Sequence, residues 1–115
     1  MKKDNKIFVS HILESAGQIN KFLENVSLED FRKSIEKQDA VIRRLEIIGE
    51  AAKNITKNFR DKYPDIPWGD MAKMRDKLIH GYFGVDIDLT YLTAIKDIPE
   101  LKKRMLDVLE KETWN

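Results

Sequence analysis

The sequence predicts an all-α protein, a bundle of four to five helices that run up and down. Apolar residues recur at helical spacing almost throughout the 115 residues, and no stretch alternates with period two for long. Five glycines and three prolines are few for a protein built of turns and short strands. The hydrophobic content of 42% suffices for a core, and the length suits one domain. We therefore expect residues 1–115 to form a single helical domain.

The N-terminal apolar stripe predicts the first helix, which we expect over about residues 4–24. Ser27 is followed three residues later by Asp30, the spacing of a capping box, so a second helix should begin there. From Phe31 the stripe continues to Phe59, which predicts long helical structure.

Gly49 lies inside this long stripe, where glycine costs on the order of 1 kcal/mol relative to alanine. A missing side chain lets a neighbouring helix approach closely, and this packing role is the reason we expect for the glycine.

Two prolines near residue 65 end the long helix, since each disfavours helical conformation in the residue before it. Asp65 is the expected N-cap of the next helix, with Pro67 in its first turn. That helix should run from about Trp68 to His80 and end at Gly81.

The C-terminal third predicts a loop over 84–88, a short helix over 89–96 and a restart at residues 97–100. The last helix then presents its apolar side inward through Leu101, Met105, Val108 and Leu109.

Composition excludes several classes of function. Without cysteine the chain has no disulfide, no thiolate nucleophile and no Cys-ligated metal site. A net charge of +1 argues against bulk coating of nucleic acid, although residues 41–82 carry an excess of three positive charges. No apolar run has the length of a membrane span, and the N-terminus has no signal-peptide pattern. The cytoplasm is the expected location, without a membrane partner.

Histidine is the side chain suited to acid–base work near neutral pH, and the sequence has two. His11 borders the first apolar stripe, where a structural role is expected. On a continuous helix, Asp76 and His80 would share one face, so the carboxylate could fix the imidazole tautomer. Arg75 is five residues from His80, rotated by about 140°. A two-fold partner could bring such groups into one cleft.

A structural alternative explains the same residues without chemistry. His80 and Lys77 would complement the dipole at a helix C-terminus, while Tyr82 packs against the bundle. Residues alone leave this alternative open.

Glu46 and Glu50 form an i, i+4 carboxylate pair that could suggest a metal site. No histidine has matching local spacing, and Arg43 and Lys53 are near enough to pair with the carboxylates. We therefore predict salt bridges here and no metal ligands.

A longer pattern resembles the HepT family of HEPN-domain ribonuclease toxins. It covers about residues 8–109 and is tightest over 41–86. The elements that carry it are Arg75-x4-His80-x-Tyr82, Pro67-Trp68 before this motif, Phe83-Gly84-Val85-Asp86 after it, Ile48-Gly49-Glu50-Ala51, and the run from Asp39 to Glu46.

The resemblance implies a HEPN-like bundle that forms a two-fold homodimer. It also implies the toxin of a type II toxin–antitoxin system, a metal-independent endoribonuclease that cleaves RNA in a cleft at the dimer interface. Arg75 and His80 would be the catalytic pair, with Asp76 in support. The antitoxin, a minimal nucleotidyltransferase, would silence the enzyme by transferring AMP from ATP to Tyr82. No cofactor is expected in the chain itself, because the partner uses the ATP.

Four basic residues could extend the positive surface for RNA, and DNA is not expected as a substrate. They are Lys73, Lys77, Arg43 and Arg44. The same residues are also compatible with a second function. HEPN domains also occur as non-catalytic subunits that help a nucleotidyltransferase hold a nucleotide or substrate, and Arg75 and His80 could grip a phosphate without cleaving it.

Overall fold

The computed structural model describes residues 4–79 and 84–114. Helices dominate this part of the chain, and its β-type pairing is limited to an isolated bridge between Ile79 and Val85. The predicted all-α class is confirmed. The helical segments are α1 (Asn5–Phe22), α2 (Leu28–Lys33), α3 (Ile35–Asn54), α4 (Lys57–Lys62), α5 (Trp68–Ala72), α6 (Met74–Leu78) and α7 (Ile87–Lys111).

Three long helices build the core. α1 packs against both α3 and α7, and the short helices α5 and α6 pack on α3. Within residues 4–79 and 84–114, no helix combines the length and the apolar character needed to cross a membrane. The side chains at the centre are fully buried and come from each long helix and from α2; they include Ile12, Ile19, Phe31, Ile48, Ile98 and Met105.

Several predicted boundaries are confirmed at the N-terminal end. The first helix matches the expected range to within two residues at each end. The capping box at Ser27 is formed, because the Ser27 hydroxyl accepts from the backbone N–H of Asp30 and the Asp30 carboxylate accepts from that of Ser27.

The long stripe from residue 31 to residue 59 was expected to be uninterrupted helix, and this is wrong at two positions. The hydroxyl of Ser34 accepts from the backbone N–H of Lys37, and that of Thr56 accepts from Phe59. Each side chain therefore begins a new helix inside a run with helical periodicity.

The helix predicted over residues 68–80 is divided in two at Lys73, and its second part ends at Leu78. The N-cap is Pro67, and no side chain caps it, so the expected capping role of Asp65 is wrong. The backbone carbonyl of Asp65 instead accepts from Arg104 Nη1 at 2.6 Å. The predicted end at Gly81 lies outside the described residues.

The two C-terminal helices of the prediction are one continuous helix, α7, with Pro99 inside it. Asp86 caps its N-terminus by accepting from the backbone N–H of Leu89. A proline removes one backbone hydrogen bond. Ala94 and Ile98 before it and Leu101 after it are all buried, so a continuous apolar face holds the helix together across the gap.

An aromatic cluster fixes the C-terminal residues on α4. Phe59 stacks against Trp114 with ring centroids 5.6 Å apart, and the indole of Trp68 donates to the Tyr63 carbonyl. Tyr63 also donates its phenolic hydrogen to Glu112, with an O–O distance of 2.5 Å. Both tryptophans are therefore packing residues.

Glu112 should make the stability of the fold depend on pH in the acid range. Hydrogen bonds from Lys62 and Tyr63 hold the pKa of Glu112 below its ordinary value of 4.5. A lowered folded-state pKa contributes stability above pH 4.5 that is lost as the pH falls through the folded value. In urea titrations, Glu112→Gln should cost on the order of 1 kcal/mol at pH 7. That difference should shrink below pH 4.5, and a constant difference would contradict the assignment.

Candidate active site

Arg75 lies in α6 and reaches across to α3. Its Nε donates to Oε2 of Glu46 at 3.1 Å, and its Nη1 is 3.9 Å from Oδ1 of Asp76. The Arg75 side chain is 54% exposed, which leaves guanidinium N–H groups open to solvent. The ion pair therefore orients the guanidinium through its Nε edge without consuming its capacity to bind an anion.

The close approach of two helix backbones makes this contact possible. A Cβ on Gly49 would lie 3.1 Å from the carbonyl oxygen of Met71 in α5. Glu46 precedes Gly49 by three residues and so lies on a neighbouring part of the same helix surface. The packing role predicted for Gly49 is confirmed, and it brings α3 near the segment that carries Arg75.

A larger side chain at Gly49 should force α3 and α5 apart. We expect Gly49→Val to lower the free energy of unfolding by about 1–3 kcal/mol, because its neighbour is backbone and cannot rotate away. Gly69→Val is the matched control, since a Cβ at Gly69 meets nothing within 4 Å. Equal losses in urea titrations of the two variants would contradict the close-packing role.

The geometry assumed for Asp76 is not observed. Helix α6 ends at Leu78, and Ile79 is extended, with φ −113° and ψ 117°. The continuous helix to residue 80, on which the expected i, i+4 relation between Asp76 and His80 depended, is therefore wrong. His80 itself lies outside the described residues, so its relation to Asp76 stays a prediction. Asp76 is 82% exposed at its side chain, and its described contact is the one with Arg75.

Backbone contacts join the residues before position 80 to those after position 83. Ile79 pairs with Val85, and the N–H of Asp86 donates to the carbonyl of Leu78 at 2.9 Å. Gly84 adopts φ +106°, a conformation that favours glycine. His80 and Tyr82 themselves lie outside the described residues.

The four basic residues expected near RNA lie on two surfaces. Arg43 and Arg44 are in α3, and Arg43 precedes Glu46 by three residues, so it lies near the Glu46–Arg75 pair. Lys73 and Lys77 instead line a groove between α6 and α7.

Glu46 is the site residue whose role the sequence did not predict. Its expected partner among nearby bases was Arg43 or Lys53, but the described partner is Arg75, 29 residues away. The described residues contain no group of three or more His, Asp or Glu side chains placed to hold a metal ion. Gly49 was the available signal, because a close approach at residue 49 implies an inter-helix partner for residue 46.

Comparison with known proteins defines the class. The model of the ribonuclease HepT-like family matches residues 12–108, which include the motif from Arg75 to Tyr82. The chain belongs to this family, and the resemblance seen in the sequence is confirmed. The expectation that the chain is an enzyme of a ribonuclease class is thereby confirmed at the level of the family.

Individual relatives agree with this assignment. A Thermococcus cleftensis protein named "Probable ribonuclease HepT" is 49% identical over 102 residues, which are 89% of this chain and 93% of the relative. "Putative RNase TTE0752" of Caldanaerobacter subterraneus subsp. tengcongensis is 44% identical over 110 residues, 96% of this chain and 98% of the relative.

A longer relative contains a second named activity. "Gamma-glutamylcyclotransferase and putative RNase MJ0434" of Methanocaldococcus jannaschii is 51% identical over 111 residues. These are 96% of this chain, which spans half the length of that relative. No solved structure matches the chain significantly.

Proposed function

We propose that this chain is a metal-independent endoribonuclease whose catalytic pair is Arg75 and His80. The observation that carries the proposal is the Arg75 guanidinium, oriented by Glu46 on a neighbouring helix and still half exposed. A fixed guanidinium with free N–H groups is suited to the oxygens of a phosphodiester, which it can bind in a bidentate manner. Membership of the ribonuclease family supports the same substrate.

The proposed reaction needs one positive charge and two proton transfers. A base removes the proton of the 2′-hydroxyl as its oxygen attacks phosphorus, and the bond from phosphorus to the 5′-oxygen breaks. An acid gives a proton to that leaving oxygen. His80 can serve in either role, because an imidazole titrates near neutral pH. Arg75 stabilises the charge that develops on the non-bridging oxygens.

A two-fold homodimer is part of the proposal. The extended Ile79 ends the helix before His80, so one straight helix cannot align the two catalytic groups. A cleft between two copies would supply an arginine and a histidine from each. We place this dimer in the cytoplasm.

The experiment compares an RNA oligonucleotide with the DNA of the same sequence. Since the nucleophile is the 2′-hydroxyl, we expect the chain to cut the RNA and leave the DNA intact. Cleavage of both would contradict the mechanism. Binding of RNA or nucleotide without cleavage of either would favour the non-catalytic subunit instead.

We propose further that the chain is the toxin of a type II toxin–antitoxin pair and that a minimal nucleotidyltransferase is its antitoxin. The support is the motif that ends in Tyr82, two residues after His80. An AMP group on Tyr82 would add bulk and negative charge where the RNA phosphate must bind.

Modification of Tyr82 should be detectable by mass. Co-incubation with the nucleotidyltransferase and ATP should add AMP to the peptide that contains Tyr82 and abolish RNA cleavage. Tyr63→Phe is the matched control, because the hydroxyl of Tyr63 is engaged in a hydrogen bond to Glu112 and is not the proposed acceptor of AMP. Tyr82→Phe should escape both effects; an AMP adduct that persists in Tyr82→Phe would contradict the assignment.

A further inference from the structure

A groove runs between helices α5 and α6 on one side and α7 on the other, with a volume of about 770 Å³. Two hydrogen bonds show how the chain segments on the two sides of the groove run relative to each other. Arg104 of α7 donates to the carbonyl of Asp65, and Asp86 before α7 donates to the carbonyl of Leu78. The segment from residue 65 to residue 78 therefore runs antiparallel to α7. We call this space the α6–α7 groove.

The lysines that line the α6–α7 groove lie toward one of its ends. Because residues 65–78 run antiparallel to α7, Lys73 and Lys77 lie in the half nearest the C-terminal end of α6, together with Thr93. Lys96 lies next to Asp97, where this basic half meets the other half of the groove. None of the three ammonium groups forms an ion pair with a carboxylate of residues 4–79 or 84–114.

The opposite half is acidic and contains Asp65, Asp70, Asp97 and Glu100. Arg104 also lies there, but it is engaged by Glu100 at 3.4 Å and by the Asp65 carbonyl at 2.6 Å. The net field at this end therefore opposes an anion, whereas the field at the other end attracts one.

We propose that the basic half of the α6–α7 groove is a phosphate-binding subsite for the RNA strand beside the scissile phosphodiester. This inference rests on the proposed ribonuclease function. Lys73 and Lys77 from the α5–α6 segment and Lys96 from α7, which form no ion pair within the described residues, are suited to phosphate as point charges. The apolar floor, which includes Met71 and Leu78, limits solvent screening below them.

The position of the subsite relative to Arg75 supports this ligand. Lys77 is two residues from Arg75, so the two side chains leave α6 about 200° apart. Arg75 points toward α3, and Lys77 lines the groove. A strand bound at Arg75 can reach the groove by passing over the C-terminal end of α6, next to the residue pair 79 and 85. The acidic half then limits how far the strand continues.

The test measures binding of a short single-stranded RNA that carries 2′-O-methyl groups throughout and so cannot be cleaved by the proposed route. Dissociation constants are measured over a series of salt concentrations for Lys77→Gln and Lys96→Gln. Each lost phosphate contact should reduce the salt slope of log K by about 0.7 and weaken binding several-fold. Lys103→Gln is the control, because Lys103 is exposed on α7 and does not line the groove.

Two outcomes separate this inference from the ribonuclease proposal. If the wild type cleaves unmodified RNA but Lys77→Gln and Lys96→Gln keep the wild-type salt slope, the subsite is overturned and the nuclease stands. If both variants lose slope while wild type and variants alike leave unmodified RNA intact, the subsite stands and the catalytic proposal fails. Variants that lose affinity for the nucleotidyltransferase but keep the RNA slope would assign the groove to the protein partner and overturn the inference.

Discussion

The His80→Ala variant should cleave RNA about 10²–10⁴-fold more slowly than the wild type, because a positioned general acid or base contributes a factor of that size. The measurement is a single-turnover rate on a labelled RNA. His11→Ala is the matched control, since His11 is the other histidine of the chain and is exposed in α1. Its rate should equal that of the wild type.

Thermal unfolding of both histidine variants distinguishes lost chemistry from lost structure. A folded His80→Ala protein with the wild-type rate would remove His80 from the mechanism. In the expected case, the slow cleavage by His80→Ala should also lack the dependence on pH near neutrality that an imidazole gives.

The second large effect is expected at Arg75. Arg75→Ala should lower the single-turnover rate by about 10²–10³-fold, the usual effect of deleting one preorganised group that stabilises transition-state charge. Arg75→Lys should recover part of this loss, since it keeps the charge but cannot bind two phosphate oxygens through a planar fork.

Stability should change little in the Arg75 variants. The Arg75–Glu46 pair is half exposed at the arginine, and exposed pairs contribute about 0–1 kcal/mol. A large drop in melting temperature would instead give Arg75 a structural role. Full activity of folded Arg75→Ala would contradict the account of the site.

The helical class was predictable because it depends on local periodicity, but the segmentation of the helices was not. Thr56 begins α4 partly through reciprocal hydrogen bonds with Asn5, which is 51 residues away. Local patterns contain no information about such a partner. Pro99 had the opposite effect on the prediction, since it suggested a break between two helices that the structure does not have. Buried neighbours on both sides keep α7 continuous despite the missing N–H.

In the candidate site, too, the local features were predictable from the sequence and the tertiary contacts were not. The motif made Arg75 recognisable, and Gly49 predicted a close helix contact. The identity of the residue that orients Arg75 depends on how α3 and α6 meet, and that is a tertiary property. For the same reason, the sequence suggested Lys73 and Lys77 as RNA-binding residues but did not place Lys96 beside them in a groove.

The central claim is that Arg75 and His80 cleave RNA without a metal ion. Its most direct test is the single-turnover cleavage of RNA in excess chelator by wild type, Arg75→Ala and His80→Ala, with all three proteins shown to be folded. We expect the wild type to cut at the rate it shows without chelator and both variants to be at least about 10²-fold slower. Loss of wild-type cleavage in chelator, or equal rates for the three proteins, would contradict it.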